Sequence, residues 1–372
     1  MIARIEHPAS FESLRKEWNE LLEASASNCL FLTWEWLYTW WKHLSEGREL
    51  FLITLRSGGE LVAIAPLAVR PPSLTRLLPY RSLEFLGTGS VGSDYLDLLI
   101  RRGREQETLQ ALADYLADGK LMLTLDQLNR SSCLATELAA QLRQRGWSAS
   151  EAKTNICPFM NISGHSWESY LAAFGRKHRY NFQRELKNLA KTFNVRFEQV
   201  RTEEQRREAL GLLMSLHNMR WRERGGSNAF HTPGLVSFHE ELSRLACERG
   251  WLRLFILWLD GKPAASLYGF RYHRAFYFYQ LGFDPTYRKH GVGKVTIGLT
   301  IKSAIEERVE EYDLLHGDEP YKSYWAREAR ELGRLELYPP HLRGLLYRKT
   351  MGFSRTARKM ARRLLPQRVL AG

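Results

Sequence analysis

Two short segments bring together residue types that could do chemistry. The first is the run Arg288, Lys289, His290, Gly291, Val292, Gly293 and Lys294, which follows a strand pattern and opens an amphipathic helix pattern over 295–308. A helix N-terminus presents unpaired backbone N–H groups, and its dipole favours an anion. Gly291 and Gly293 would let the backbone curl around a phosphate without Cβ clashes, while Arg288 and Lys294 add positive charge. The plain alternative is a strand-to-helix connection that uses two glycines.

The second segment, 312–325, follows the last strand pattern of the same half. Polar groups just beyond the C-terminal end of a strand sit where open α/β sheets bind ligands. His316, Asp318 and Glu319 are candidate proton acceptors there, and Tyr321 or Tyr324 could return a proton to a leaving group. Equally, Asp318-Glu319-Pro320 could cap a short helix while the tyrosines pack. Two further pairs are candidate substrate contacts. Arg220-Trp221 could stack on a nucleotide or sugar, and Asp94-Tyr95 follow a glycine loop that could face an acceptor cleft.

The elements that must hold these residues read as two halves. In the first, the pattern predicts helices over 11–22 and 105–116, strands over 49–55, 60–69, 82–86 and 121–125, an extended run over 94–100, and a helix over 129–146. Thr33 is a plausible helix cap in the tryptophan-rich stretch. In the second half, the pattern predicts helices over 167–189 (interrupted at Gly175), 202–216, 232–248 and 295–308. Strands are expected over 251–259, 263–270, 275–281 and 312–316, with a hairpin turn at Asp260-Gly261. The order of elements repeats although the residues do not. The fold expected is therefore α/β (α+β): two halves, 1–150 and 151–340, each a mixed, mostly antiparallel sheet flanked by helices, and a basic helical tail over 341–372. The glycine run 87–92 satisfies G-x-G-x-x-G literally, but the extended pattern after it fails the helix that a dinucleotide fold requires.

Composition excludes several classes. The chain has 372 residues, 44% hydrophobic, which suits two packed cores. Its start has no apolar secretory core and no stretch approaches the roughly 18 apolar residues of a membrane span, so a cytoplasmic location is expected. Cys29, Cys133, Cys157 and Cys247 are scattered, and the histidines lack ligand spacing, so no metal is expected. The net charge of +13 favours an anionic partner. It concentrates in 176–191 and in the tail, which could rest on an anionic membrane at its inner face or pack one side onto the protein.

The pattern Arg-x-x-Gly-x-Gly at 288–293 resembles the pyrophosphate loop of GNAT acyltransferases. With the polar run 312–325, the tryptophan-rich 31–41, Gly92 to Asp97, and His217 to Trp221, the chain resembles the GNAT-type domain of cellulose-biosynthesis CelD-like proteins, relatives of the FemAB-like transferases. That resemblance implies transfer of an acyl group from acetyl-CoA or another acyl-CoA to an amine or hydroxyl of a small-molecule or saccharide acceptor, in surface-polysaccharide or envelope biosynthesis. It implies Arg288 to Lys294 as the co-substrate loop and offers no fixed catalytic residue. FemAB-like relatives use aminoacyl-tRNA, which is the alternative donor. A non-catalytic basic module for RNA or membrane is the remaining alternative; outside these, nucleic acid is not expected.

Overall fold

The structure is a computed structural model of the whole chain; it describes residues 1–71, 81–119, 121–222 and 229–341, with positions 344, 346 and 348. The expected basic tail lies almost wholly outside the described residues. The chain forms two compact units, Met1–Asn155 with the segment from Glu331 onward, and Ile156–Arg330.

Unit 1 contains β1 (Ile2–Ile5), α1 (Pro8–Ser13), α2 (Arg15–Ala24), α3 (Trp34–Leu44), β2 (Glu49–Ser57), β3 (Glu60–Arg70), β4 (Ser82–Phe85), β5 (Leu99–Ile100), α4 (Glu105–Ala117), β6 (Met122–Asn129) and α5 (Leu134–Gln144). Thr33 caps α3 by accepting from the Trp36 N–H, as its position suggests. Trp18, Trp36 and Trp40 are almost fully buried, so the tryptophan-rich stretch is core here.

The run 94–100 departs from the expected strand: only Leu99 and Ile100 are extended in a ladder, and Tyr95 takes φ 58°. Asp97 explains the departure. Its buried carboxylate accepts from the N–H groups of Leu134 and Ala135 at 2.8 and 2.9 Å, capping α5 from a distant segment.

β7 (Ser148–Asn161) begins in unit 1 and ends in unit 2. Unit 2 then contains α6 (Trp167–Ala173), α7 (Arg176–Thr192), β8 (Val195–Gln199), α8 (Glu203–Arg222), α9 (Pro233–Glu248), β9 (Leu252–Leu259), β10 (Lys262–Tyr272), β11 (Ala275–Phe283), α10 (Val292–Glu306), β12 (Glu311–Asp313) and α11 (Pro320–Trp325). The final strand, β13 (Glu328–Tyr338), pairs antiparallel with β6. That ladder places residues from Glu331 with unit 1, whereas the sequence pattern assigns them to the second half.

Each unit is a mixed, mostly antiparallel sheet with helices. Unit 1 runs β1-β2-β3-β4-β6-β13, with β4 and β6 parallel. Unit 2 runs β8-β9-β10-β11-β12-β7, with β11 and β12 parallel. The order of strand pairing thus repeats: an antiparallel ladder, a helical crossover to a parallel strand, and an antiparallel strand beside it, β13 in unit 1 and β7 in unit 2.

In unit 2 the crossover is α10. Buried Val295, Ile297, Ile301 and Ala304 seat it on the sheet. Gly298 permits close approach, since a Cβ there would lie 2.4 Å from the Phe182 ring of α7. On another element, Gly282 of β11 lies so near α8 that a Cβ would be 2.5 Å from the His217 backbone nitrogen.

Candidate active site

β11 and β12 pair only from Ala275 to Tyr277 and from Glu311 to Asp313, and the ladder does not continue to Leu281. Past that pairing lies a cavity of about 390 Å³ lined by Leu281, Phe283, Ile297, Tyr321, Tyr324 and Trp325, with Arg220, Arg288 and residues Gly291 to Lys294 around it. Its interior is mostly apolar, and the cationic and glycine residues supply the polar part. An apolar cleft with a few convergent polar groups is the ordinary form of a small-molecule site.

The glycine turn has a defined construction. Asp284 accepts from the Thr286 N–H at 2.9 Å, starting a 3-10 turn over Pro285–His290. Gly291 ends that turn in the left-handed region, φ 69°, and serves as N-cap of α10. At Gly293 the nearest atoms to an added Cβ are the Phe283 and Leu281 side chains at 3.4 and 3.5 Å, so that face of the helix start is open enough for a methyl.

The seven loop candidates divide. Arg288, Gly291, Val292, Gly293 and Lys294 line the cavity; Lys289 is exposed, and His290 packs edge-on against Phe193 at 5.0 Å. Lys294 pairs with the Glu185 carboxylate and lies 5.0 Å over the Tyr324 ring. Sequence reasoning does not single out Glu185, although it is the one acid in the basic run 176–192.

Of the five proton-transfer candidates, Tyr321 and Tyr324 line the cavity, and His316, Asp318 and Glu319 are not among its lining residues. Burial pushes both phenols up, Tyr324 to about 12. The Tyr324 ring lies against His178, centroids 3.4 Å apart, and burial lowers that imidazole's pKa, helped by Lys294 and Arg327. Glu319 is the counterion of Lys322, at 3.0 Å; the buried Lys322 ammonium also donates to the Leu315 and His316 carbonyls at 3.1 and 2.5 Å. That ammonium therefore ties down the turn that leads into α11. Asp318 is exposed.

Arg220 enters the cavity from α8 and donates to the Leu281 carbonyl at 2.7 Å. Its guanidinium lies over Trp221 and Phe283, each at 5.3 Å, and over Tyr321 at 5.7 Å. Trp221 thus reaches the site through Arg220 and is not itself a lining residue. Asp94, fully buried, and Tyr95 belong to unit 1. Among the described residues no group of His, Cys, Asp and Glu is placed to hold a metal, and no helix is long and apolar enough to cross a membrane.

A strand, glycine turn and helix thus stand beside an interrupted parallel pair. The family model of the acetyltransferase (GNAT) domain matches residues 176–323, which hold all the cavity-lining residues but Tyr324 and Trp325. Among solved structures, the crystal structure of FemX is similar with a TM-score of 0.64 and 14% identity, over 94% of this chain and 99% of that one. The C-terminal domain of a putative lysylphosphatidylglycerol synthetase from Agrobacterium fabrum gives 0.54 and 10% identity, over 94% and 95% of the two chains. L-PGS from Bacillus licheniformis gives 0.51 and 10% identity, over 92% and 95%. At these identities the likeness establishes the two-half fold. No curated protein matches the sequence.

Proposed function

We propose that the protein is an acyltransferase that takes its acyl group from acetyl-CoA or another acyl-CoA and passes it directly to an amine or hydroxyl acceptor. The observation that carries the reading is the cavity's composition: a glycine turn with Arg288 and Lys294 at one end, and an apolar interior flanked by two phenols. A diphosphate suits the N-terminal N–H groups of α10 and the two cations. The pantetheine arm and thioester suit the apolar interior between Leu281, Ile297 and Tyr321.

In this reading Arg288, Gly291, Val292, Gly293 and Lys294 hold the co-substrate, and Arg220 orients the reacting end. Tyr324 is the proton donor for the leaving thiolate. Its raised pKa keeps the phenol protonated at neutral pH, as a general acid requires. Asp318 and His316 are the remaining candidates to take the acceptor's proton. Saccharide or envelope acceptors and a cytoplasmic location remain part of the proposal through the CelD-like resemblance.

Calorimetric titration with acetyl-CoA and longer acyl-CoAs tests it. Saturable binding by the wild type, lost in Gly293→Trp, is expected. A folded wild type that binds none of them overturns the reading, and aminoacyl-tRNA becomes the donor to examine.

A further inference from the structure

Helix α7 has two faces with different uses. Phe182 and Leu189 are buried, and Leu186 packs against the same cores, so this face is spent inside unit 2. On the other side, at about 100° per residue, Arg176, Lys187, Tyr180, Lys191, Arg184 and Lys177 fall in that order within an arc of about 100°. The stripe from Arg176 to Lys191 is about 22 Å long. No acid lies on it, because Glu185 points away to Lys294.

These cations differ from others on unit 2. Arg196, Arg253 and Arg330 are each paired with a glutamate. Among the described residues, none of Arg176, Lys177, Arg184, Lys187 and Lys191 is in an ion pair. In their midst Tyr180 is 60% exposed, with the Arg184 guanidinium 5.6 Å from its ring centre. An exposed aromatic among unneutralised cations is the arrangement that tracks a phosphodiester backbone and stacks a base.

The same helix contacts two residues that line the cavity, Tyr324 and Lys294. His178 lies tilted against Tyr324, Glu185 meets Lys294, and Phe193, just past the helix end, packs on Tyr287. A strand held on the outer face of α7 would lie across the width of that helix from the side chains that line the cavity.

We propose that this face of α7 is a docking stripe for single-stranded nucleic acid. A lipid surface fits less well. An interfacial helix buries an apolar face in the bilayer, and α7 has committed its apolar face to the core. The cations also form a line, as successive phosphates do. The proposal goes beyond the acyl-CoA reading and does not depend on it.

The test uses the full chain and a fluorescent RNA of about 12 nucleotides, with binding measured from about 50 to 200 mM salt. Single-strand binding changes with log salt by about 0.7 per phosphate neutralised. The variant Lys177→Gln/Arg184→Gln/Lys187→Gln/Lys191→Gln should thus bind more weakly, with a slope shallower by roughly 2 to 3. Tyr180→Ala should lose roughly 5- to 100-fold in affinity at unchanged slope, the signature of a lost stack. Wild-type acyl-CoA titration and thermal unfolding in these variants would show that the cavity and fold are intact. Equal RNA affinity and slope in wild type and the fourfold variant would overturn the proposal. So would binding to phosphatidylglycerol vesicles, lost in that variant, without RNA binding. If the wild type binds RNA through α7 but no acyl-CoA, the donor assignment fails and the stripe stands.

Discussion

The Glu185 carboxylate is packed onto the Gly291 turn: a Cβ on Gly291 would stand 2.8 Å from Glu185 Oε2, while Oε1 pairs with Lys294. Oε2 is buried and has no hydrogen-bond partner among the described residues. An anionic side chain thus occupies the neighbourhood of a helix N-terminus, where the proposed diphosphate would also be drawn. The two compete. Glu185→Gln removes the like charge and releases Lys294, so acyl-CoA should bind roughly tenfold more tightly, about 1.4 kcal/mol, by calorimetry. Weaker binding in this variant would show that the carboxylate supports the site and would reject the competition.

The two loop glycines should respond oppositely to alanine. Gly291 has φ 69°, where an L-residue is strained, and its Cβ would also press on Glu185. Gly291→Ala should cost about 1–2 kcal/mol in urea unfolding. Gly293 is helical, and its Cβ meets side chains only at 3.4 Å and beyond, so Gly293→Ala should be neutral or stabilising by up to about 1 kcal/mol. Equal effects at both positions would mean that the turn is not held as described.

That contrast also marks what a sequence can convey. The glycine turn is legible because glycine spacing, a preceding strand and a following amphipathic run are local signals. The repeated order of strands is legible for the same reason. The pairing of β13 with β6 is not, since strand partners so far apart in the chain leave no local trace. Nor is the fate of Asp94 to Asp97: alternation suggests a strand, but Asp97 is consumed capping α5. Around the cavity, residue types point to Tyr321 and Tyr324 but cannot rank them against Asp318 and Glu319. Lys322 settles the surroundings of Glu319 through a contact inside the turn. Glu185 has a visible signal, a lone acid in a basic helix, whose meaning requires the packing of α7 beside α10.

Tyr324 gives a pH prediction. Burial and then the Glu185 charge push its phenol up to about 12. A donor with that pKa remains protonated from neutral pH to beyond about pH 10, so it should produce no alkaline fall in kcat over that range. Tyr324→Phe should lower kcat by roughly 100-fold or more, with acyl-CoA affinity nearly unchanged. Full kcat in that variant would remove Tyr324 as the acid and transfer the role to Tyr321, which also lines the cavity.

Acid should weaken unit 2 through two histidines outside the cavity lining. His217 of α8 and His239 of α9 are buried, and each Nδ1 lacks a hydrogen-bond partner among the described residues. Burial lowers His217 to about 4, with Arg220 adding to the effect, and lowers His239 to about 3. Both folded-state values lie below the ordinary 6.5, so the unfolded chain takes up each proton first as pH falls. Stability is therefore fully present above pH 6.5 and declines below it. The decline from His217 levels off near pH 4 and that from His239 near pH 3. Within the window each imidazole costs up to about 1.4 kcal/mol per pH unit. Urea unfolding at pH 7.5 and pH 5 should thus show a loss of roughly 2–4 kcal/mol from the pair. His239→Asn should be less stable at neutral pH but lose less between the two values, because its amide does not titrate. A loss as large in His239→Asn as in the wild type would mean that the acid sensitivity arises elsewhere, in carboxylates such as Glu17 and Glu203 that arginines hold below their usual range.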